Sequence, residues 1–204
     1  MELLDALSWR YAVKQFSDDI IPDAEIADLI RATSPTPSCY GLQPYQIIQV
    51  NVRSVRKKLL VHSWGQDKVV DCSHLLVFTV STAGIGSIVA RYLHQQAHIK
   101  DEAIIDLADF RTYLIKTLRA KPNAQMIEWA HRQAYIELGN LLTSAAVSAI
   151  DTCPMEGIDA AGFDLPALEL TTSVVHTLGY RNTADKQAHK PKIRFANNDF
   201  LQEV

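Results

Sequence analysis

Two kinds of hydrophobic pattern alternate along this chain: segments with apolar residues at helical spacing, and short runs that are apolar throughout. Leu3–Leu7 forms one face of a short amphipathic helix that ends before Arg10. A second helix opens at Pro22, with acids in its first turn, where the helix dipole favours them. His74–Val80 is an uninterrupted run rich in Val and Leu, which predicts a buried strand. The rest of the pattern predicts strands at 46–51, through Cys153 and at 173–179, and helices at about 53–62, 85–99, 101–118, 123–150 and 160–170.

The helix over 123–150, with Asn123 as its predicted N-cap, is the longest of these. Its second half, from Leu138 to Ala149, is apolar nearly all round, so it must be buried on every side. At 1.5 Å per residue the helix would be about 40 Å long, more than one small domain needs. Gly139 and Ser144 would let another backbone approach closely. Two interpretations remain open: the helix packs against its symmetry mate in a dimer, or it is buried in a monomer core.

Helices and strands are mixed without regular βαβ alternation, which favours an α+β fold over a doubly wound sheet. No linker or internal repeat divides the 204 residues, so we expect a single domain over 1–204. The net charge of −3 argues against a nucleic-acid-binding surface, which would be basic.

Several features favour a soluble cytoplasmic protein. No apolar run approaches the roughly 20 residues of a membrane helix, and Met1–Asp5 carries acids where a signal peptide carries lysines. The three cysteines are odd in number and lack C-x-x-C spacing, which is typical of a reduced compartment. His94 and His98 have the spacing of a metal pair but lack an evident third ligand, so no metal site is expected.

Two small basic clusters stand at opposite ends of the chain, Arg10–Lys14 and Lys192–Arg194. If the fold brings the termini together, three or four cations converge with no local acid run to neutralise them. Guanidinium and ammonium groups bind phosphate oxygens by charge-assisted hydrogen bonds, so such a site suits a phosphate-bearing ligand. The alternative is that either cluster is an ordinary solvated surface.

Further motifs lie between these clusters and fix the order in which all of them occur. The sequence reads R-Y-A-V-K at 10–14, P-S-C-Y-G-L-Q-P-Y at 37–45, D-C-S-H at 71–74, P-M-E-G at 154–157, G-Y-R at 179–181 and K-I-R at 192–194. In this order and spacing the chain resembles the nitroreductase family of FMN-dependent NAD(P)H oxidoreductases. Within that family it is most similar to the oxygen-insensitive nitroreductase and dihydropteridine reductase branch.

The resemblance implies a nitroreductase-like fold, in which helices flank a central mixed or antiparallel sheet and the long central helix lies at a homodimer interface with shared active sites. It implies an enzyme that transfers hydride from NADH or NADPH through FMN to nitroaromatics, quinones or similar electron-poor acceptors by a ping-pong mechanism. The alternatives are a specialised dihydropteridine or flavin reductase of the same family, and a flavin-binding protein without turnover.

The resemblance also assigns roles to residues, and none is a catalytic side chain because flavin N5 carries the hydride. Arg10, Lys192 and Arg194 match the FMN phosphate and ribityl positions. Lys14 matches the cation at the pyrimidine edge, where a fixed positive charge stabilises the reduced flavin. Lys68 matches a second basic residue that some members place near the same edge; alternatively it is an ordinary surface lysine. Backbone amides of the turn at 154–157 would face N5 and O4. The other cofactor-binding positions implied in this part of the site are Tyr11, Ala12, Gly65, Pro154, Met155, Glu156 and Gly157.

The loop at 37–43 is implied to reach the flavin site of the partner subunit through Pro37, Ser38, Cys39, Gly41 and Gln43. Cys39 and Tyr40 would line the substrate pocket, with the Tyr40 ring over the flavin; alternatively Tyr40 packs on its own subunit. An aromatic residue within 110–118 is expected to gate the pocket. Gly41 and Gly65 depart from the family, since each stands where Asn is common, and they leave flavin potential and substrate preference open.

Overall fold

The structure, a computed structural model, describes residues 1–119 and 123–202. The α+β class predicted from the sequence is confirmed. The helices and strands in chain order are α1 (Leu3–Trp9), α2 (Asp23–Thr33), β1 (Tyr45–Gln49), α3 (Arg53–Leu59), α4 (Lys68–Asp71), β2 (His74–Ser81), α5 (Ile85–Lys100), α6 (Ala108–Arg119), α7 (Asn123–Val147), β3 (Asp151–Met155), β4 (Leu170–Gly179) and α8 (Asn197–Phe200).

Four strands form one antiparallel sheet in the order β1-β2-β4-β3. The N-terminal segment joins the β3 edge through a parallel bridge between Ala12 and Thr152. The Val13 N–H donates to the Thr152 carbonyl at 3.1 Å. This pairing places the first basic cluster, Arg10–Lys14, beside β3, which lies far from it in the sequence.

The central strand β2 is apolar on both faces because both faces are covered. Leu76 and Phe78 pack into a core with residues of α2 and α7, whereas Leu75 and Val77 pack into a second core with Val13 and part of β3. Successive side chains of a strand point to opposite faces of the sheet. The uninterrupted apolar run is therefore what a strand buried on two sides requires.

The long helix α7 is buried on one side only within a single chain. Leu138 and Leu141 pack against the sheet, but in the second half of the predicted helix Gly139 and Ala149 are exposed and Val147 is 39% exposed. Within one chain the second half is therefore not buried on every side, and its burial against a symmetry mate stays a prediction. The interpretation that a monomer core covers this helix does not hold for the exposed face.

Some predicted helices end or begin elsewhere. The predicted helix at 160–170 is wrong, because only two 3₁₀ turns form there, at Ala160–Phe163 and Pro166–Leu168. The predicted helix at 53–62 ends at Leu59; a 3₁₀ turn follows at Val61–Ser63, and Trp64 and Gly65 after it adopt left-handed backbone with φ of 54° and 69°.

Two more boundaries differ from the sequence pattern. The predicted helix over 101–118 begins only at Ala108, because Asp101 is left-handed and a 3₁₀ turn at Ile104–Leu107 precedes α6. The predicted capping by the Asn123 side chain lies outside the described residues.

Among residues 1–119 and 123–202, none of the helices has both the length and the apolar character that crossing a bilayer demands.

Candidate active site

The two basic clusters meet at the carboxyl end of α1. Lys192 Nζ donates to the carbonyl of Leu7 and, at 3.2 Å, to that of Ser8. These carbonyls belong to the last turn of α1 and have no partner within the helix, so a cation is favoured there. Lys192 thereby draws the C-terminal segment over Arg10. Between them lies a cleft of about 410 Å³, here called the terminal cleft, lined by residues 8–12, 187, 188 and 190–194.

A buried carboxylate fixes one wall of the terminal cleft. Asp185, only 2% exposed, accepts hydrogen bonds from the Lys14 N–H at 2.8 Å and the Tyr11 hydroxyl at 3.1 Å. Burial alone would raise the pKa of Asp185, but the backbone N–H groups of Lys14, Gln187 and Gln15 hold it below its usual value. Asp185 therefore stays ionised and holds the backbone at Lys14, but it is not among the residues that line the terminal cleft.

The terminal cleft carries unbalanced positive charge. Burial and the neighbouring Arg194 lower the pKa of Arg10, and burial with Arg10 and Arg194 lowers that of Lys192. The lining residues that the structure describes include no carboxylate. Arg10 Nε is buried and has no hydrogen-bond partner among the described residues. A doubly charged anion in this cleft would offset the repulsion among Arg10, Lys192 and Arg194, and it could accept a hydrogen bond from Arg10 Nε.

His176, on β4, adds no charge to this region. It is fully buried, and neither ring nitrogen finds a partner in the described part of the chain. Burial, and secondarily the charge of Arg10, lowers the pKa of His176 to about 3. The imidazole is therefore neutral at physiological pH.

A second cleft of about 540 Å³, here called the edge cleft, is lined by residues 14–16, 65–68, 71 and 182. It brings together Lys14, Gly65 and Lys68, three of the residues named from the sequence. Lys68 Nζ donates to Gln66 Oε1 at 2.7 Å, and burial together with Lys14 lowers the Lys68 pKa. A Cβ at Gly65 would meet open space, so the missing Asn side chain leaves this part of the cleft unfilled.

Strand β3 lies near cations of both clefts. The buried Cys153 thiol has a raised pKa because of burial, while Lys68, Lys14 and Arg10 all act on it in the opposite direction. The three cations therefore lie around one point of β3. The strand ends at Met155, and the turn after it lies beside the edge cleft, where Gln66 Nε2 donates to the Gly157 carbonyl at 2.8 Å.

The loop at 37–43 lies apart from both clefts. None of its residues lines the terminal or the edge cleft in the described part of the chain. The Cys39 N–H donates to Gln133 Oε1 at 2.8 Å, and the Gln43 N–H donates to Ser38 Oγ at 3.0 Å. These contacts anchor the loop to α7 and hold its shape. Within one chain, then, Pro37 to Gln43 do not join the cation clefts.

The backbone conformation of the loop at 37–43 explains why glycine suits position 41, where Asn is common in the family. Tyr40 and Gly41 are both left-handed, with φ of 56° and 69°. A Cβ at Gly41 would lie 3.3 Å from Tyr92 Cε2. Glycine adopts this backbone without strain, so its presence suits a loop packed this closely on α5.

Tyr40 contacts aromatic residues of its own chain. Its ring meets Tyr113 edge-on with centroids 6.3 Å apart, and Tyr113 stacks on Phe110 at 6.4 Å. Phe110 and Tyr113 are thus the aromatic residues of 110–118 that lie near the loop. Tyr40 nevertheless remains 39% exposed, so part of the ring is available to a neighbour.

Similarity to known proteins identifies the family of this chain. The sequence model of the nitroreductase family matches residues 7–179. This chain belongs to the nitroreductase family.

Relatives of this nitroreductase match it over nearly its full length. A candidate NAD(P)H nitroreductase of Staphylococcus saprophyticus is 29% identical over 217 residues, covering 98% of this chain and 95% of that protein. The candidate NAD(P)H nitroreductase YfkO of Bacillus subtilis is 27% identical, covering 100% and 97%.

Solved structures share the fold of this nitroreductase. The candidate nitroreductase YdfN of Bacillus subtilis superposes with a TM-score of 0.85 at 20% identity, covering 100% of this chain and 99% of that one. A candidate nitroreductase of Exiguobacterium sibiricum, solved in complex with FMN, superposes with a TM-score of 0.82 at 15% identity, covering 100% and 98%. The nitroreductase-like fold predicted from the motifs is confirmed.

FMN is the cofactor of this family, and the residues of this nitroreductase fit it. The phosphate of FMN is a dianion, and the terminal cleft offers Arg10, Lys192 and Arg194 with no carboxylate in its described lining. The orphaned Arg10 Nε is a donor without an acceptor. The donor set therefore suits the phosphate end, and the cations of the edge cleft suit the pyrimidine end.

Sequence reasoning missed several residues that shape the site. Asp185 was missed because its bonds to the first basic cluster span more than 170 positions. Gln66 and Trp64 flank the conspicuous Gly65 but match no motif. Tyr135 lies on α7 and matches no motif either. For Asp185, the side chain accepting from the Gln187 N–H two residues on is the local turn signal that could have drawn attention to it.

Proposed function

We propose that this nitroreductase uses FMN to transfer hydride from NAD(P)H to nitroaromatics, quinones or similar electron-poor acceptors. The observation that carries the proposal is the pair of clefts that hold the predicted cations: the terminal cleft has no carboxylate in its described lining, whereas the edge cleft has Asp67 and Asp71 beside its two lysines. The P-M-E-G turn is tied to the edge cleft by the Gln66–Gly157 hydrogen bond. Bound FMN would supply the two-electron redox chemistry. The chain supplies charge and orientation.

Each group of residues has a distinct task in this proposal. Arg10, Lys192 and Arg194 hold the phosphate and the adjoining ribityl oxygens. Lys14 and Lys68 present positive charge to the pyrimidine edge, where negative charge accumulates on reduction, and thereby stabilise the reduced state. Backbone amides at Met155 and Glu156 face the N5–O4 side. The proton that the product requires comes from water.

In this proposal the hydride donor, NAD(P)H, and the electron-poor acceptor bind at the same place. The chain offers no separate nucleotide-binding unit in its described residues, and the G-I-G at 84–86 lacks the third glycine of a dinucleotide fingerprint. NAD(P)H and the acceptor would occupy the open space over the flavin in turn, which predicts ping-pong kinetics. Cys39 and Tyr40 of the partner subunit's loop would form the wall of that space.

The direct test is to reconstitute the purified protein with FMN and add NADPH or NADH without oxygen. We expect a yellow protein whose flavin absorbance bleaches and returns on addition of a nitroaromatic or a quinone. Yellow protein that does not bleach would favour the flavin-binding alternative without turnover. Bleaching that is reversed by a dihydropteridine or free flavin, but not by nitroaromatics or quinones, would favour the specialised reductase. Protein that binds no FMN would refute every flavin interpretation.

We further propose that two copies form a dimer through the exposed face of α1 and α7. Leu3 and Leu4 of α1 are 51% and 78% exposed, and Ile136 and Val147 extend the same apolar surface along α7. The Met1 amino group donates to the Val147 carbonyl at 2.9 Å and fixes α1 against α7. An apolar surface of this kind is typical of an obligate interface. The dimer would also bring the loop at 37–43 to the partner's clefts.

Replacing Gly139 with arginine should dissociate this dimer and weaken FMN binding without unfolding the protomer. A Cβ at Gly139 meets nothing within 4 Å in its own chain, so the clash would arise only with a partner. Gly86→Arg is the matched control, since Gly86 also lies in a helix with open space around it. Sedimentation velocity with detection of the bound flavin measures both effects. A Gly139→Arg protein that remains dimeric, or a wild-type monomer that retains FMN, would contradict the model.

A further inference from the structure

The turn after β3 is attached to the long helix by a hydrogen bond that no sequence motif anticipates. The Tyr135 hydroxyl, on α7, donates to Glu156 Oε1 at 2.6 Å. Burial, followed by the hydrogen bond to Glu156 and its charge, raises the pKa of Tyr135. The phenol therefore keeps its proton and remains a donor. A hydroxyl donating to a carboxylate at this length is a charge-assisted hydrogen bond, here one that is exposed to solvent.

The other side of the same turn is held from the edge cleft. Gln66 Nε2 donates to the Gly157 carbonyl at 2.8 Å, and Lys68 Nζ donates to Gln66 Oε1 at 2.7 Å. The Trp64 ring lies so close to Gly157 that a Cβ there would be 3.1 Å from Trp64 Cζ3. Two consecutive residues of the turn are thus fixed from opposite sides, one by α7 and the other by the edge cleft.

We infer that Tyr135 is a positioning residue that holds the backbone N–H of Glu156 in place for the flavin. The inference rests on the proposed function, in which that N–H faces flavin N5. In oxidised flavin N5 accepts a hydrogen bond, whereas in reduced flavin N5 itself carries hydrogen. A donor that is held rigidly at this position therefore favours the oxidised state, because preorganised dipoles act without the cost of reorganisation. Removing the Tyr135 contact would free the turn and favour the reduced state.

Tyr135→Phe tests this through the reduction potential of bound FMN. The affinity for reduced FMN relative to oxidised FMN should rise about tenfold on loss of one such hydrogen bond, which for a two-electron couple is a potential about 30 mV less negative. Glu156→Ala should give the same shift. The variant with both substitutions should shift the potential little further, because each substitution removes the same Tyr135–Glu156 contact. Glu156→Gln should stay near wild type, since its amide oxygen still accepts from Tyr135.

The matched control is Tyr180→Phe, which removes the Tyr180–Glu25 hydrogen bond of 3.4 Å. Tyr180 lines neither cleft, so its loss should leave the potential unchanged. A Tyr135→Phe potential equal to that of wild type would overturn the inference. A shift in Glu156→Gln as large as in Glu156→Ala would also overturn it, by showing that the charge of Glu156 acts rather than its attachment.

A measurement on the flavin-free protein separates this inference from the proposed function. The Ile158 N–H donates to the Glu156 carbonyl at 2.8 Å and closes the turn. In Tyr135→Phe its hydrogen exchange should accelerate, while Tyr180→Phe should exchange as wild type does. Unchanged exchange at Ile158 overturns the inference whether or not flavin binds, whereas failure of the wild type to bind FMN overturns the proposed function.

Discussion

Replacing Asp151 with alanine is expected to lower the free energy of unfolding by about 3–5 kcal/mol, the cost of removing one partner of a buried ion pair. Asp151 is 3% exposed. It accepts from Arg181 Nη2 at 2.6 Å, from Nε at 2.9 Å and from the backbone N–H of Arg181 at 2.8 Å. The Arg181 guanidinium also lies over the Trp9 and Tyr11 rings, at 4.0 and 4.6 Å from their centroids. Without Asp151, a cation held between two aromatic rings would have no counter-ion.

This contact ties the start of β3 and the end of β4 to the segment that carries Arg10. The loss should therefore lower the melting temperature by about 6–20 °C, at roughly 2–4 °C per kcal/mol for a chain of this size. Asp28→Ala is the matched control: it removes a carboxylate 2.7 Å from Arg31, but the two side chains are 65% and 77% exposed. An exposed pair contributes about 1 kcal/mol or less. Equal melting temperatures for the two variants would show that the Asp151 pair does not hold the termini together.

Replacing Arg10 with alanine is expected to weaken FMN binding about 10- to 150-fold, since a charged hydrogen bond is worth about 1.5–3 kcal/mol. Riboflavin, which lacks the phosphate, should lose less than about threefold. Burial and Arg194 lower the pKa of Arg10, so its charge is unfavourable in the flavin-free protein. The substitution should therefore leave the melting temperature of the flavin-free protein nearly unchanged.

Fluorescence titration with both flavins measures the ratio of the two affinities. Arg194→Ala should behave like Arg10→Ala. Lys192→Ala is less clean, because Lys192 also holds the C-terminal segment on α1 through the Leu7 and Ser8 carbonyls. Arg31→Ala removes an exposed guanidinium elsewhere and should change neither affinity. If FMN and riboflavin lose affinity equally in Arg10→Ala, the terminal cleft does not hold the phosphate.

The residues of the proposed site could be named from the sequence because they occur in short local motifs. The basic clusters, the loop at 37–43 and the P-M-E-G turn each need particular residue types at adjacent positions. The contacts that support them could not be anticipated. Asp185 bonds to Lys14, Gln66 to Gly157 and Tyr135 to Glu156, each across a long sequence separation. Other polar side chains of suitable length could make such hydrogen bonds, so no particular residue type marks these positions in the sequence.

The sequence by itself determined the fold class, the family and the residue types of the proposed cofactor site. The periodicity of apolar residues and the motifs themselves depend on positions close together in the sequence. Both can therefore be recognised without knowing how the strands pair. The tertiary structure decided that the two basic clusters meet at the end of α1. It also decided that the loop at 37–43 lies apart from them, and that α7 is covered on one face only. These outcomes depend on the antiparallel order β1-β2-β4-β3 and on the Ala12–Thr152 bridge, because the distance between residues remote in sequence is set by packing and not by local preference.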